Sequence, residues 1–309
     1  LTSQGALVVI PCGKGTVLID QVLWDPTDET PRLGHRSSAS WEATGRDKAM
    51  GKGDPVFASA YIAARARGYL SQLLSNLGAK PIPPPRYPGE ADPTEHTALL
   101  FHFNCAPGVL ADSGPLGLDV ETRPSPPFTE GRFGQALVME KHSEYWIPDS
   151  GSLLYQSPAF SVDLWIRPAM EPPARPQVIL LAEANYPKFE IALTPNRQIR
   201  YLWIDRPGGQ GVIETKETVP AGQWTRVTLV QDFGHPKGGD TPNAIRVYLN
   251  GKLALERQTD GFYHYRGNIV LGASGPWRQR VPELESFVGA MDDLHVLKRA
   301  MTAEDFDER

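Results

Sequence analysis

The chain has 309 residues, with 31 Lys+Arg against 36 Asp+Glu and a formal net charge of -5. That length holds one large domain or two ordinary ones with real cores, and the charge leaves no basic stripe for a nucleic-acid partner. No apolar run approaches the ~18 residues of a membrane helix.

The chain opens LTSQGALVVIP, with neither an initial Met nor the charged start and long apolar centre of a signal peptide. This predicts a processed product or a piece of a longer protein. Residues 6–11 and 16–24 read as two strands, joined by a turn in which Gly13 and Gly15 flank Lys14. The GKG is a turn rather than a phosphate loop, because no GxxxxGK[ST] pattern surrounds it. Residues 26–53 are polar and without period, a long loop. A helix is predicted over 55–77, capped by Asp54 with Pro55 at its first position, burying Ala66, Leu70, Leu73, Leu74 and Leu77, and stopped by Gly78.

Two strands and one helix do not enclose a core, so residues 1–78 read as the end of an α/β domain begun elsewhere. The stretches VVIPCGKGTVLIDQVLW and YLSQLLSNLG resemble the tail of the glutamine-amidotransferase-like domains of large secreted bacterial sugar-processing proteins. Such an enzyme uses a Cys on a strand–helix elbow. Cys12 precedes a turn between strands, so no catalytic residue follows from that resemblance. Cys12 and Cys105, the two cysteines, lie in different predicted domains; pairing and free thiols are both open. Neither sits in a metal-binding spacing. Residues 79–95, with KPIPPPRYPGEADP, read as a semi-rigid proline-rich linker.

From residue 96 onward, short alternating runs separated by turn signals predict an antiparallel β-sandwich, so the chain is mainly β. Asn250-Gly251, between IRVYL and KLALE, is its strongest hairpin signal, since both residues tolerate the positive φ of a type I′ turn. GRFGQALVM, AFSVDLWIRP, VPAGQWTRVTLVQD, IRVYLNGKLA and FVGAMDDLHVLKRAMTAEDF resemble, in order and spacing, the concanavalin A-like laminin-G-type jelly roll over 96–309. The resemblance implies a fold, an exported location (periplasmic, cell-surface or secreted), and a glycan or another protein chain as partner. It does not by itself assign a function.

Strict alternation along the closing strand puts Phe287, Gly289, Met291, Asp293, His295 and Leu297 on one face and Val288, Ala290, Asp292, Leu294 and Val296 on the other. Asp292 then lies on the more apolar face and needs a partner. The laminin-G resemblance implies that Asp292, with Asp112 of the early DSG turn, could face a structural calcium, which wants six to eight oxygens. The competing reading is hydrogen bonding alone. Thr302 is expected to cap a short final helical turn.

Trp165 and Trp224 match positions that pack in this family whatever the ligand. Candidate ligand aromatics and their neighbours are Tyr201 and Trp203, then Tyr263, His264, Tyr265 and Arg266 of GFYHYRG, and Trp277 of GPWRQR. No predicted strand carries an E-x-D-x-x-E run, and neither HExxH nor GxSxG is present, so no catalytic residue is expected in this chain alone. The sequence thus favours a non-catalytic carbohydrate-binding or accessory region of a larger exported protein. The alternatives are a structural or assembly module, and the C-terminal part of an enzyme whose catalytic residues lie upstream.

Overall fold

In the computed structural model the described residues are 7–12, 15–20 and most of 86–307. Strands β1 (Leu7–Cys12) and β2 (Gly15–Asp20) pair antiparallel, with Cys12 opposite Gly15, as the GKG turn requires. The loop expected at 26–53 and the helix expected at 55–77 lie outside the described residues.

The sandwich strands follow as β3 (Thr97–Phe101), β4 (Val109–Leu110), β5 (Val120–Glu121), β6 (Phe128–Glu130), β7 (Gln135–Met139), β8 (Glu144–Ile147), β9 (Ala159–Pro168) and β10 (Gln177–Glu183). After them come β11 (Pro187–Leu193), β12 (Gln198–Arg206), β13 (Gly209–Thr218), β14 (Thr225–Asp232), β15 (Ala244–Leu249), β16 (Lys252–Gln258), β17 (Asn268–Gly272), β18 (Glu285–Ser286), β19 (Gly289–Leu297) and the helical turn α1 (Glu304–Asp307). One sheet has the order β13-β12-β11-β10-β17-β8, with β18 on β10. The other runs β16-β15-β14-β9-β19-β7-β6, with β3 also on β19. This is the expected β-sandwich.

The core lies between these sheets. Phe160, Val162, Leu164 and Ile166 of β9 meet Ile179, Leu180 and Ala182 of β10 and Phe189 and Ile191 of β11 in one buried cluster. The period of two in β9 sends Ser161, Asp163, Trp165 and Arg167 to the outer face of the eight-stranded sheet. The Asn250-Gly251 turn has φ 50 and 74, both positive as type I′ demands.

The C-terminal segment covers part of that outer face. Val230, Leu297 and Met301 form a small cluster with Tyr248, Ala300 and Phe306. Met301 N–H donates to Ser161 Oγ at 2.8 Å, and Ser161 Oγ–H to the Arg299 carbonyl at 2.8 Å. Thr302 opens the final turn as expected, its N–H donating to Asp305 Oδ2 at 2.6 Å.

The described end of the stretch read as a semi-rigid linker rests on the sandwich: Ala91 is buried and its N–H donates to Asp293 Oδ2 at 2.9 Å. One expectation is corrected, and it concerns β19. Met291 pairs with Ile166 and Asp292 with Trp165, but the next partner pair is His295 with Asp163. A β-bulge at Asp293, whose φ is 47, inserts one extra residue and reverses the parity. Met291, Leu294 and Val296 all face the core. Asp292 therefore shares the outer face with Trp165, and His295 with Asp163, rather than Asp292 sharing a face with Leu294.

The bulge explains why two aspartates adjoin. On one side of β19 the neighbour is β7 over Gly289–Met291 and β3 over Leu294–Leu297. Between them the ladder is interrupted and nearby donors lack carbonyl partners. Asp292 Oδ2 accepts the Phe133 N–H at 2.9 Å, and Asp293 takes the Ala91 N–H and pairs with His102 Nδ1 at 2.8 Å.

Candidate functional site

The part of the eight-stranded sheet left uncovered by the C-terminal segment carries a row of arginine and tryptophan. Trp165 and Arg167 come from one face of β9. Trp224 precedes β14, and the register that pairs Arg226 with Trp165 brings it opposite Arg167. Arg132 and Phe133 come from the turn between β6 and β7, where Gly131 N–H donates to the Gly134 carbonyl at 2.9 Å.

The guanidinium carbon of Arg132 lies 4.9 Å from the Trp165 ring centroid and 5.6 Å from that of Phe133. Phe133 meets Trp165 edge to face, with centroids 6.0 Å apart. Arg167 stands 4.9 Å from the Trp224 centroid and donates through Nη2 to the Glu130 carbonyl at 3.2 Å. Ala290 pairs with Arg167 across β19, so a methyl group leaves the arginine room to lie flat. Each such contact is worth ~0.5–1 kcal/mol where exposed and more where desolvated.

The turn that presents Arg132 is built to hold its place. A Cβ on Gly131 would stand 2.6 Å from Asp292 Oδ2, and one on Gly134 (φ 70) 2.3 Å from Asn104 Oδ1. Asn104 Oδ1 accepts the Gln135 N–H at 2.6 Å. Tyr87, 41% exposed, lies against Gly134 in the same turn.

A different arrangement lies under the C-terminal segment. Asp163 and Arg226 are 1% and 3% exposed. Arg226 Nε donates to Asp163 Oδ1 and Nη2 to Oδ2, both at 2.9 Å, and Thr228 Oγ1 adds a bond of 2.6 Å to Oδ1. Arg226 also lies 5.3 Å from the Phe306 ring centroid. With its charges matched and its atoms buried, this cluster anchors the tail and offers nothing to a ligand.

The residues picked from sequence are distributed differently. Tyr201 and Trp203 face inward from β12, 0% and 5% exposed, stacked on each other with centroids 5.8 Å apart. They are core residues, which corrects their reading as a ligand surface. Tyr263, His264, Tyr265, Arg266 and Trp277 lie outside the described residues. Asp112 is buried and binds backbone: Oδ1 accepts Leu100 N–H and Gly114 N–H, and Oδ2 accepts Leu118 N–H, each at 2.8 Å. Asp112 is thus a turn-former.

Asp292 is less well matched. Burial, first of all, and then the neighbouring Asp293 charge push its carboxyl up to about 7, against the pull of backbone N–H groups. A buried carboxylate without a counter-charge suits a cation. Yet among the described residues no three His, Cys, Asp or Glu side chains gather where they could hold one, and Asp112 is engaged elsewhere. Two carboxylates that already accept backbone bonds fall short of calcium's six to eight oxygens, so no role is derived through the ion.

A family model for the concanavalin A-like lectin/glucanases superfamily matches residues 142–306. The chain belongs to that superfamily. Its match spans β8 to α1, including both Trp165 and Trp224. No curated protein matches the chain. Among solved structures, this superfamily member is similar to the binding domain of Paraclostridial Mosquitocidal Protein 1, with 13% identity, 69% of this chain and 51% of that one covered, and a TM-score of 0.54. It is also similar to the binding domain of botulinum neurotoxin DC, solved with rat synaptotagmin II, at 13% identity, 69% and 50% coverage and a TM-score of 0.50. Domain 4 of AbnA, a GH43 extracellular arabinanase from Geobacillus stearothermophilus solved with arabinotriose, matches at 23% identity over 59% of this chain and 80% of that one, with a TM-score of 0.43. The chain spans about half the length of the two toxin binding domains. At these identities the likeness is one of fold.

From sequence Trp165 and Trp224 read as packing residues; both are half-buried on the outer face, and the row they form with the arginines was not foreseen. Arg132 was missed. Its partner lies 33 positions away, and GRFG reads from sequence as a turn motif and nothing more.

Proposed function

We propose that this chain is a non-catalytic carbohydrate-binding, accessory region of a larger exported protein that acts on polysaccharide. The observation that carries this reading is the row Arg132–Trp165 and Arg167–Trp224, held on an outer face of the lectin-type sandwich that the described residues leave uncovered. Rigid strands supply Trp165 and Arg167, and a braced turn supplies Arg132, so little order is lost when a ligand docks. The reading extends to an upstream α/β part, of which β1 and β2 would be the end. Affinity electrophoresis of the full chain through gels containing soluble polysaccharides tests it. Retardation by at least one polysaccharide, lost in Trp165→Ala and Trp224→Ala proteins of unchanged circular dichroism, is the expected result. Free migration through every gel would refute it.

A second reading, a module for protein–protein contact, is favoured by Val212 and Leu253. These are exposed at 45% and 53% on β13 and β16, the edge strands of the two sheets. Sedimentation of the wild type and of a Val212→Glu/Leu253→Glu variant distinguishes it: that reading requires an association in the wild type that the variant loses. A role as the C-terminal part of an enzyme, with its chemistry upstream, requires activity from a longer chain and none from this one.

A further inference from the structure

The outer-face row does not have the form of a sugar-stacking platform. A neutral pyranose needs a bare aromatic face for its C–H side. Here the faces of Trp165 and Trp224 are already covered by guanidinium groups 4.9 Å away. What an arriving ligand meets is the arginine, with the indole behind it.

The charges on these two arginines are not spent inside the protein. Arg226 pairs with Asp163, Arg246 with Asp232 and Glu256, Arg299 with Asp305, Arg86 with Asp92 and Arg200 with Glu190. Neither Arg132 nor Arg167 has a carboxylate partner for its guanidinium among the described residues. Asp292 is close by, but it is buried and binds the backbone of the Arg132 turn, accepting N–H groups of Phe133 and Arg132. Arg132 is exposed and Arg167 half-buried. In a chain of net charge -5, two unpaired guanidinium groups stacked on tryptophan on one face are a local reversal of sign.

We infer that this face selects acidic carbohydrate, namely a polysaccharide bearing uronic acid. The inference rests on the carbohydrate-binding reading and deepens it. A uronate carboxylate is planar and takes two parallel N–H bonds from the edge of a guanidinium, whose face is held by the indole. The exposed ring of Tyr87, which lies against Gly134 of the Arg132 turn, offers the bare apolar surface that the two tryptophans do not. The density of positive charge is low, two groups among the described residues, which suits a polymer with a single charge per ring rather than a nucleic acid or a heavily sulfated chain.

The test is affinity electrophoresis and calorimetry of the full chain against polygalacturonate and its fully methyl-esterified form, in EDTA so that calcium does not cross-link the polymer. The two probes share the sugar ring and differ in charge. Binding to the acid at least tenfold tighter than to the ester is expected. It should weaken as salt rises from 50 to 500 mM and fall at least tenfold in Arg132→Gln and in Arg167→Gln. Lysine at either position should restore part of it, because the charge returns without the planar fork. Equal binding to acid and ester, tighter binding to sulfated or neutral glycans, or acid binding indifferent to both arginines would overturn this inference and leave the carbohydrate reading standing. Binding to no polysaccharide of any charge would overturn both.

Discussion

Asp163→Asn should destabilise the sandwich severely. The substitution keeps the shape of the side chain and removes its charge. Arg226, 3% exposed, would keep a full positive charge with no anion to balance it. The two bonds of 2.9 Å from Nε and Nη2 would face an amide that can accept at one atom only. Breaking a buried pair by removing one partner costs about 3–5 kcal/mol, a large share of the ~5–15 kcal/mol that holds a typical domain together. At a urea slope of ~3 kcal/mol per M, the midpoint should fall by about 1–2 M. The loss should spread to the C-terminal tail, since Phe306 packs over Arg226. Replacing both partners by apolar residues, Asp163→Leu with Arg226→Met, should recover most of the stability, because the cost lies in the orphaned charge and not in the lost attraction. Urea unfolding followed by tryptophan fluorescence measures all of this. A single variant within 1 kcal/mol of wild type, or a double variant as weak as the sum of its singles, would refute the argument.

Gly251→Ala should cost about 1 kcal/mol or more, measured by thermal unfolding, because φ is 74 there and a new Cβ would press to 3.3 Å from Phe306 Cβ. Asp292 makes metal-free stability depend on pH. Its folded carboxyl titrates at about 7 against an ordinary 3.8, so the folded state holds the proton more tightly. The stabilisation is complete below about pH 4 and is lost as pH rises through 7. It amounts to at most about 4 kcal/mol at ~1.4 kcal/mol per pH unit, and Asp292→Asn should flatten the profile. Calcium tests the same carboxylate: an ion held there raises the melting temperature more at pH 8 than at pH 5, and Asp292→Asn abolishes the gain. No shift at millimolar calcium would remove the ion from this site.

What could be read from the sequence was what depends on local pattern. Short alternating runs, the Asn250-Gly251 turn and the Thr302 cap each have a nearby cause, and each appears in the structure. The failures have physical reasons too. In β12, Ile199, Tyr201 and Trp203 alternate with Arg200, Leu202 and Ile204, so both faces carry apolar residues and parity alone does not say which pair of rings is inside. In β19 the alternation was read straight through a bulge. One residue with positive φ reversed every assignment after it, and nothing in MDDLHV announces that reversal. The Arg132–Trp165 contact and the anchoring of Ala91 on Asp293 join residues 33 and 202 positions apart, pairings that no local window holds.

The place of β19 also sets the order in which the molecule can be made. This last strand lies in the interior of its sheet, with β9 on one side and β7 and β3 on the other. During synthesis β3 leaves the ribosome nearly 200 residues before the strand it pairs with. Until then its backbone groups, and those on the open side of β9, are exposed edges of the kind that aggregate. Closing so long a loop late makes for slow folding. A chain that stopped at Val288 would lack the middle of a sheet, not its end, and would leave two half-sheets with nothing to join them.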